Sequence, residues 1–397
     1  MPSSNGEATT LPPHLFTTQH RHSVRPLYRK IFFLLGIAAV VTMLLTIEMD
    51  YAEFWAHIRK AGWWFALVVG VWVVIYFLNA LSWYCIIHSR NGRLFSKFGL
   101  GDKKSQKPYI EEEADAQAKV SIGLIYKLTI SGFALNYATP CGLMGGEPYR
   151  IMELSPHIGK SRATSSVILY VMMHIFSHIC FWLASVCLYI IMYILPQWNK
   201  HQPIGVWALL AAVAIFCIAA IYFFLRGYRH GLILKTLRLL GRTPWVGKYV
   251  RRFAESKQQQ LQRIDSQIAE LHGEHSTAFY CSFAFEFCAR VLTALEIYFI
   301  LRMLTSDVGF LDSVLIMAFT SLFGNIFFFS PMQLGAREGG FAICINALSL
   351  SGSIGVYTGL ITRLREIIWI IIGLALIKVG NRTKTYDKVH NNPTLSA

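Results

Sequence analysis

This sequence is poor in charge. Of 397 residues only 15% are Asp, Glu, Lys or Arg, and 22 acidic side chains face 37 basic ones. With 54% hydrophobic residues and a positive mean hydropathy, the chain carries more apolar surface than one soluble core needs. Cys-x-x-Cys spacing is missing as well. The eight cysteines (Cys85, Cys141, Cys180, Cys187, Cys217, Cys281, Cys288, Cys344) all fall in apolar segments or a turn, which suggests buried, reduced thiols. His174 and His178 stand at i and i+4, but Ile175-Phe176-Ser177 between them lack the glutamate of a zinc-protease motif, so interhelical hydrogen bonding is their expected role. Nucleotide-binding, aspartate-rich and metal-ligand signatures are missing, and no basic face carries interleaved aromatics. No metal, no cofactor and no nucleic-acid partner is therefore expected.

What is present is a series of stretches long enough to cross about 30 Å of hydrocarbon, which takes roughly 20 apolar residues at the helical rise. The firm ones run from Ile31 to Ile47, Trp63 to His88, Ala163 to Leu195, Ile204 to Leu225, Thr277 to Leu304, Phe310 to Ser330 and Ile354 to Lys378. Two more, Val120 to Ala138 and Gly340 to Gly352, are apolar but interrupted or short. The first span follows a polar arm and ends in Glu48-Met49-Asp50 without a small-residue cleavage pattern, so it reads as an anchor and not a signal peptide.

Basic connections are retained on the cytoplasmic side. Arg21, Arg25, Arg29 and Lys30 mark the N-terminal arm, seven basic residues lie between Ser89 and Lys119, nine between Gly227 and His275, and Lys378, Arg382, Lys384 and Lys388 mark the tail. The segments Met49 to Gly62, Pro196 to Pro203 and the surroundings of Asp307 are poor in positive charge and read as external. The net charge of +15 is thus mostly a topology signal, with attraction to anionic headgroups as its other reading. Leu261, Ile264, Ile268 and Leu271 predict an amphipathic helix between Val246 and Leu271. Tyr51, Phe54, Trp55 and Ile58 predict a short one in the outer interface, and Glu111 to Glu113 beside Lys103, Lys104 and Lys107 predict a solvated loop.

This topology constrains Val120 to Arg150. Both flanks are basic, and Ala163 to Leu195 must run outward, so the segment must enter and leave on one face. It reads as a re-entrant hairpin turning through Thr139-Pro140-Cys141-Gly142-Leu143-Met144-Gly145-Gly146-Glu147-Pro148-Tyr149-Arg150, where two prolines and three glycines break helix. A second copy follows the Phe310 span as Ser330-Pro331-Met332-Gln333-Leu334-Gly335-Ala336-Arg337-Glu338-Gly339-Gly340. Each copy has a hydroxyl residue, proline, a leucine three residues on and a glutamate seven residues on. One is approached from the cytoplasm and one from outside, which makes an inverted pair of the kind that marks a transporter's central site.

These two motifs resemble the membrane domain of lysylphosphatidylglycerol synthases and of the stand-alone flippase-like proteins related to it, over most of the chain from Trp63 to Lys378. The resemblance implies lipid translocation. Aminoacylation in that family belongs to a separate soluble domain, which is not expected after Lys378. Met332-Gln333 departs from the family's small residues and glycine.

The expected fold is an all-α polytopic membrane protein of about eight transmembrane helices plus a re-entrant broken segment and an inverted repeat. Residues 1–29 form a cytoplasmic arm, 30–380 the transmembrane domain with cytoplasmic loops at 89–119 and 227–275, and 381–397 a cytoplasmic tail. The expected function is translocation of a phospholipid or lipid-linked glycan across the cell membrane, with both termini cytoplasmic. A membrane-embedded lipid-modifying transferase and an accessory subunit working with envelope-synthesis enzymes stay open beside it.

Polar side chains lining a cavity would lower the barrier to a headgroup crossing the bilayer. The candidates are Pro140, Gly145, Gly146, Glu147 and Arg150 at the first turn, and Pro331, Gly335, Arg337 and Glu338 at the second. Asn325, Glu296, the i,i+4 pair Glu286 and Arg290, and the i,i+3 pair Arg363 and Glu366 join them. Each pair could instead staple the bundle, and each turn glutamate could cap a broken helix.

Overall fold

The computed structural model describes residues 62–89, 120–138, 145–197, 203–230, 276–305, 308–326, 336–347 and 352–379, with isolated positions between 251 and 266. The N-terminal span from Ile31, the interfacial segment from Tyr51, the loop at 90–119, the tail beyond 379 and nearly all of the amphipathic segment from Val246 lie outside the described residues. So do Pro140, Pro331 and Gly335.

All described elements are helical: α1 Trp63–Ile87, α2 Ile122–Ala138, α3 Gly146–Ile158, α4 Lys160–Tyr189, α5 Ile204–His230, α6 Ser276–Leu304, α7 Phe310–Ile326, α8 Ala336–Ala347 and α9 Gly352–Lys378. A π-helical turn, Ile190–Ile194, and a 3-10 turn, Leu195–Gln197, extend α4. Among the described residues α1, the continuous stretch Lys160–Gln197 and Ile204–Arg226 are apolar and long enough to cross a bilayer. With 29 and 27 residues α6 and α9 are also long enough, but Glu286, Arg290 and Glu296 interrupt one and Arg363, Arg365 and Glu366 the other. All six of those side chains are buried, so the charges face protein and not lipid. The exposed surface is apolar instead: α5 presents Trp207, Leu209, Ile215, Phe216, Ile218 and Phe223 outward.

The helices repeat. α1 to α4 measure 25, 17, 13 and 30 residues, and α6 to α9 measure 29, 17, 12 and 27. α5 packs on α4 and links the two halves. The equivalent helices α1 and α6 form the central contact, and the halves exchange partners around it, α2 packing on α9 and α7 on α4. Trp64 meets Phe299 at the end where α1 begins, with ring centroids 5.9 Å apart, while the Ser82 and Ser282 hydroxyls meet at 2.7 Å near the other end. α1 and α6 therefore run antiparallel. Two equivalent helices that run in opposite directions make the repeat an inverted one.

Each half holds one short hairpin. Asn136 near the end of α2 bonds the start of α3 at Gly146, and Arg150 one turn into α3 reaches back to the Leu128 and Thr129 carbonyls, so α3 retraces α2. The first turn is tighter than the sequence pattern implies, because helix resumes at Gly146 and Pro148 sits within its first turn, where a missing N–H costs nothing. α3 then passes into α4 through Gly159 alone, whose φ of 81° is in the left-handed region that favours glycine. In the second half the short apolar run from Gly340 to Gly352 is occupied in part by the 12-residue α8, Ala336–Ala347. At the helical rise it spans about 18 Å, short of the hydrocarbon thickness. Its start at Ala336, directly after the Ser330-to-Gly335 punctuation, and its packing on α7 make α8 the returning arm of a hairpin.

Candidate functional site

α2, α7 and α8 stop or start inside the bundle, and their broken ends meet the long helices at mid-length. A cavity of about 190 Å³ occupies that junction. The middles of α1, α4 and α6 supply Asn79, His174 and Arg290, whereas Tyr137 comes from the last turn of α2, Asn325 from the last turn of α7 and Arg337 from the first turn of α8. The residues flanking both broken turns thus open into one space, built from both halves. The aromatic and aliphatic side chains of Trp72, Ile75, Phe133, Met317 and Phe341 also line it.

Behind the wall lie ion pairs. Arg365 bonds Glu296 at two points, Nε to Oε1 at 2.7 Å and Nη2 to Oε2 at 3.0 Å, and its guanidinium lies 3.8 Å from the centroid of the Trp72 ring. The Trp72 indole N–H donates to Glu296 Oε2 at 2.9 Å, tying α1, α6 and α9 together. Arg363 donates to Glu338 at 2.9 Å and to Glu366 at 3.1 Å, and Glu366 also accepts from Arg337. The expected Arg363–Glu366 contact is present. Arg337 and the adjacent Glu338, however, take their partners from α9 and not from each other.

At the first turn, Asn136 organises the hairpin by donating to Glu147 at 2.8 Å and accepting from the Gly146 amide at 2.8 Å. Arg150 lies 3.5 Å from Glu147 and is enclosed by Trp83, Phe133 and Tyr170, with its guanidinium 5.1 to 5.7 Å from their ring centroids. Gly146 and Gly132 permit this approach: a Cβ at Gly146 would lie 2.2 Å from the Gly132 carbonyl oxygen, and one at Gly132 would lie 2.2 Å from Arg150 Nε. Gly145 is the buried residue that precedes α3.

Glu286 and Arg290, predicted as an i,i+4 pair, are separated by a third group. His174 on α4 inserts between them, its Nδ1 2.9 Å from Glu286 Oε2 and its Nε2 3.0 Å from Arg290 Nη2. Arginine can only donate, so Nε2 accepts and the proton sits on Nδ1, where it is given to Glu286. This interhelical role is the one the sequence suggested for His174, whereas His178 turns its Nδ1 back to the His174 carbonyl at 3.2 Å. Among the described residues no group of three His, Cys, Asp or Glu side chains could hold a metal.

Of the sequence candidates, Arg290, Arg337 and Asn325 reach the cavity wall. Glu147, Arg150, Glu286, Glu296, Glu338, Arg363 and Glu366 stand behind it in the supporting pairs. Arg365, Asn79 and Asn136 went unselected, although an uncompensated arginine or amide in an apolar helix is the same costly signal that drew attention to the others.

Comparison with curated proteins and with solved structures gave no match. The family model described as "Lysylphosphatidylglycerol synthase TM region" matches residues 31–374, from the first predicted span to within a turn of the end of α9, and this chain belongs to that family.

Proposed function

We propose that the protein moves a phospholipid or a lipid-linked glycan from one leaflet of the cell membrane to the other. The observation that carries this reading is the cavity with polar side chains on its wall, where the broken ends of two inverted hairpins meet the unbroken middles of α1, α4 and α6. Discontinuous helices of inverted repeats commonly place a substrate site at the midplane. Polar groups there replace the water that a crossing headgroup loses. The apolar outer face, exemplified by α5, leaves the acyl chains in lipid while the headgroup passes through protein. Both termini and the basic connections at 89–119 and 227–275 face the cytoplasm in this reading.

The test is reconstitution of the purified chain into vesicles containing tail-labelled lipids, with a membrane-impermeant quencher reporting how much label reaches the outer leaflet. Protein-dependent exposure of the inner pool is expected. A bleaching plateau identical to that of protein-free vesicles for every lipid, with folded protein present, would count against translocation. Headgroup-resolved lipid analysis of a deletion strain, with leaflet labelling, then identifies the natural cargo.

A further inference from the structure

We propose that Arg290 and Arg337, one from each half of the repeat, form a clamp for a phosphate oxyanion, so that the translocated headgroup is a small phosphate-bearing one. This inference rests on the translocation reading and narrows it.

The argument begins with charge matching. Arg150, Arg337, Arg363 and Arg365 each have a carboxylate within ion-pair distance. Arg290 differs. Among the described residues the only hydrogen-bond partner of its guanidinium is the neutral His174 imidazole, through which the Glu286 carboxylate reaches it indirectly, and its Nε has no partner although the residue is 9% exposed. A buried guanidinium with an idle donor is expensive to maintain, and an ionisable group kept at membrane depth marks a functional position. Arg290 lines the cavity, and so does Arg337. Among the described residues they are the only charged side chains on its wall, since every carboxylate of the ion pairs stands behind.

Two guanidiniums with no carboxylate among the described wall residues select an anion. Guanidinium forks match phosphate oxygens in geometry as well as charge. Arg337 sits in the first turn of α8, where the helix dipole adds positive potential. His174 completes the device. Tethered at Nδ1 by Glu286, it holds Nη2 of Arg290 and fixes the direction in which the rest of the guanidinium points. The volume of about 190 Å³ falls below the 300–1,000 Å³ usual for pockets that take drug-sized ligands, which favours a phosphate with a small substituent over a glycan of several sugars.

The test compares tail-labelled phosphatidylglycerol with tail-labelled monoglycosyl diacylglycerol in phosphatidylcholine vesicles holding the full chain. The clamp predicts that the phospholipid crosses at least about tenfold faster, the effect of one charge-assisted hydrogen bond. Arg290→Gln should remove that advantage, and Arg290→Lys should restore part of it. Equal rates for the two lipids in the wild-type protein overturn the clamp while leaving translocation standing, and this comparison needs no variant to fold. If neither lipid crosses, equilibrium binding of the same two lipids to the detergent-solubilised chain decides: phospholipid-selective binding lost in Arg290→Gln keeps the clamp and removes the transport reading. Unselective binding overturns the clamp as well. Inorganic phosphate is the third probe. Saturable binding of phosphate alone, abolished in Arg290→Gln and accompanied by no phospholipid preference, would retain the oxyanion clamp and assign it to a free anion, overturning the headgroup claim.

Discussion

Arg365 and Glu296 are joined by a two-point ion pair between α9 and α6, both side chains being 1% exposed. A pair so enclosed stabilises the bundle only as long as both members are present. Removing one leaves a buried charge, at a cost of about 3–5 kcal/mol. Glu296→Gln should therefore lower the thermal midpoint of the solubilised protein sharply, and Arg365→Lys should do so too, because an ammonium cannot reproduce the fork or lie flat on Trp72. The double variant Glu296→Gln with Arg365→Gln should lose less than the sum of the single losses. Additive losses in the thermal scan would show that the two side chains do not act as a pair.

The crossing of α8 and α9 makes a second prediction about stability. A Cβ at Gly355 would lie 2.4 Å from Ala342 Cα, a backbone atom that cannot give way locally. Gly355→Ala should thus destabilise by about 1–3 kcal/mol, the usual cost of overpacking. Gly70 on α1 is the control, since nothing lies within 4 Å of its added Cβ. There alanine should be neutral or stabilising by up to about 1 kcal/mol through helix propensity. Thermal midpoints of the two variants, measured side by side, should move in opposite directions or at least differ clearly. Equal shifts would show that α8 and α9 do not approach this closely.

Much of this architecture could be read from the sequence, and the limits of that reading are physical. The run from Trp63 to His88 marks α1 to within a residue, because an apolar stretch bounded by polar segments leaves little choice of ends. The first hairpin followed from topology alone, since basic flanks on both sides forbid a crossing. Partner choice is different. Glu286 and Arg290 at i and i+4 look like a pair on one helix, yet His174 lies 112 residues from Glu286 in sequence and only the fold brings it between them. Likewise Arg337 and Glu338 are adjacent in the chain but point to different partners on α9, because consecutive residues of a helix diverge by about 100°. Periodicity identifies helices and their apolar faces; it carries no information on which distant helix supplies the opposing charge.

The orientation of the bundle gives a third prediction. Lys160 follows the single-residue turn at Gly159, on the side where α2 enters and α3 returns. In the proposed orientation, with basic connections retained inside, that side is cytoplasmic. A cysteine at Lys160, in a background lacking the native cysteines, should react with an impermeant maleimide only after the membrane is opened. Ile204, 87% exposed at the start of α5, should label from outside in the same background when replaced by cysteine. Labelling of the Lys160 position in intact cells would reverse or abolish the re-entrant arrangement.

The two turn glutamates allow the supporting shell to be separated from the wall. Glu147 and Glu338 occupy equivalent places in the inverted hairpins, each seven residues after a proline. The geometry gives both a neighbour to hold: Glu147 accepts from Asn136 and lies beside Arg150, and Glu338 accepts from Arg363. Neither is on the cavity wall. Glutamine keeps the shape and one accepting oxygen, so Glu147→Gln preserves the Asn136 bond, and Arg150 retains two carbonyls and three aromatic rings. After Glu338→Gln, Arg363 still has Glu366. Each change weakens one charge-assisted contact and should cost about 1–3 kcal/mol in stability. Lipid translocation by each folded variant should nevertheless stay within about threefold of wild type, a barrier change well under the 1.4 kcal/mol of a decade. Arg290→Gln in the same vesicles should show the reverse, with a thermal midpoint close to wild type and phospholipid translocation lowered about tenfold, to the rate of the glycolipid. If Glu147→Gln or Glu338→Gln instead abolishes translocation without lowering the thermal midpoint, those carboxylates act on the moving headgroup and belong to the wall in another conformation of the transport cycle.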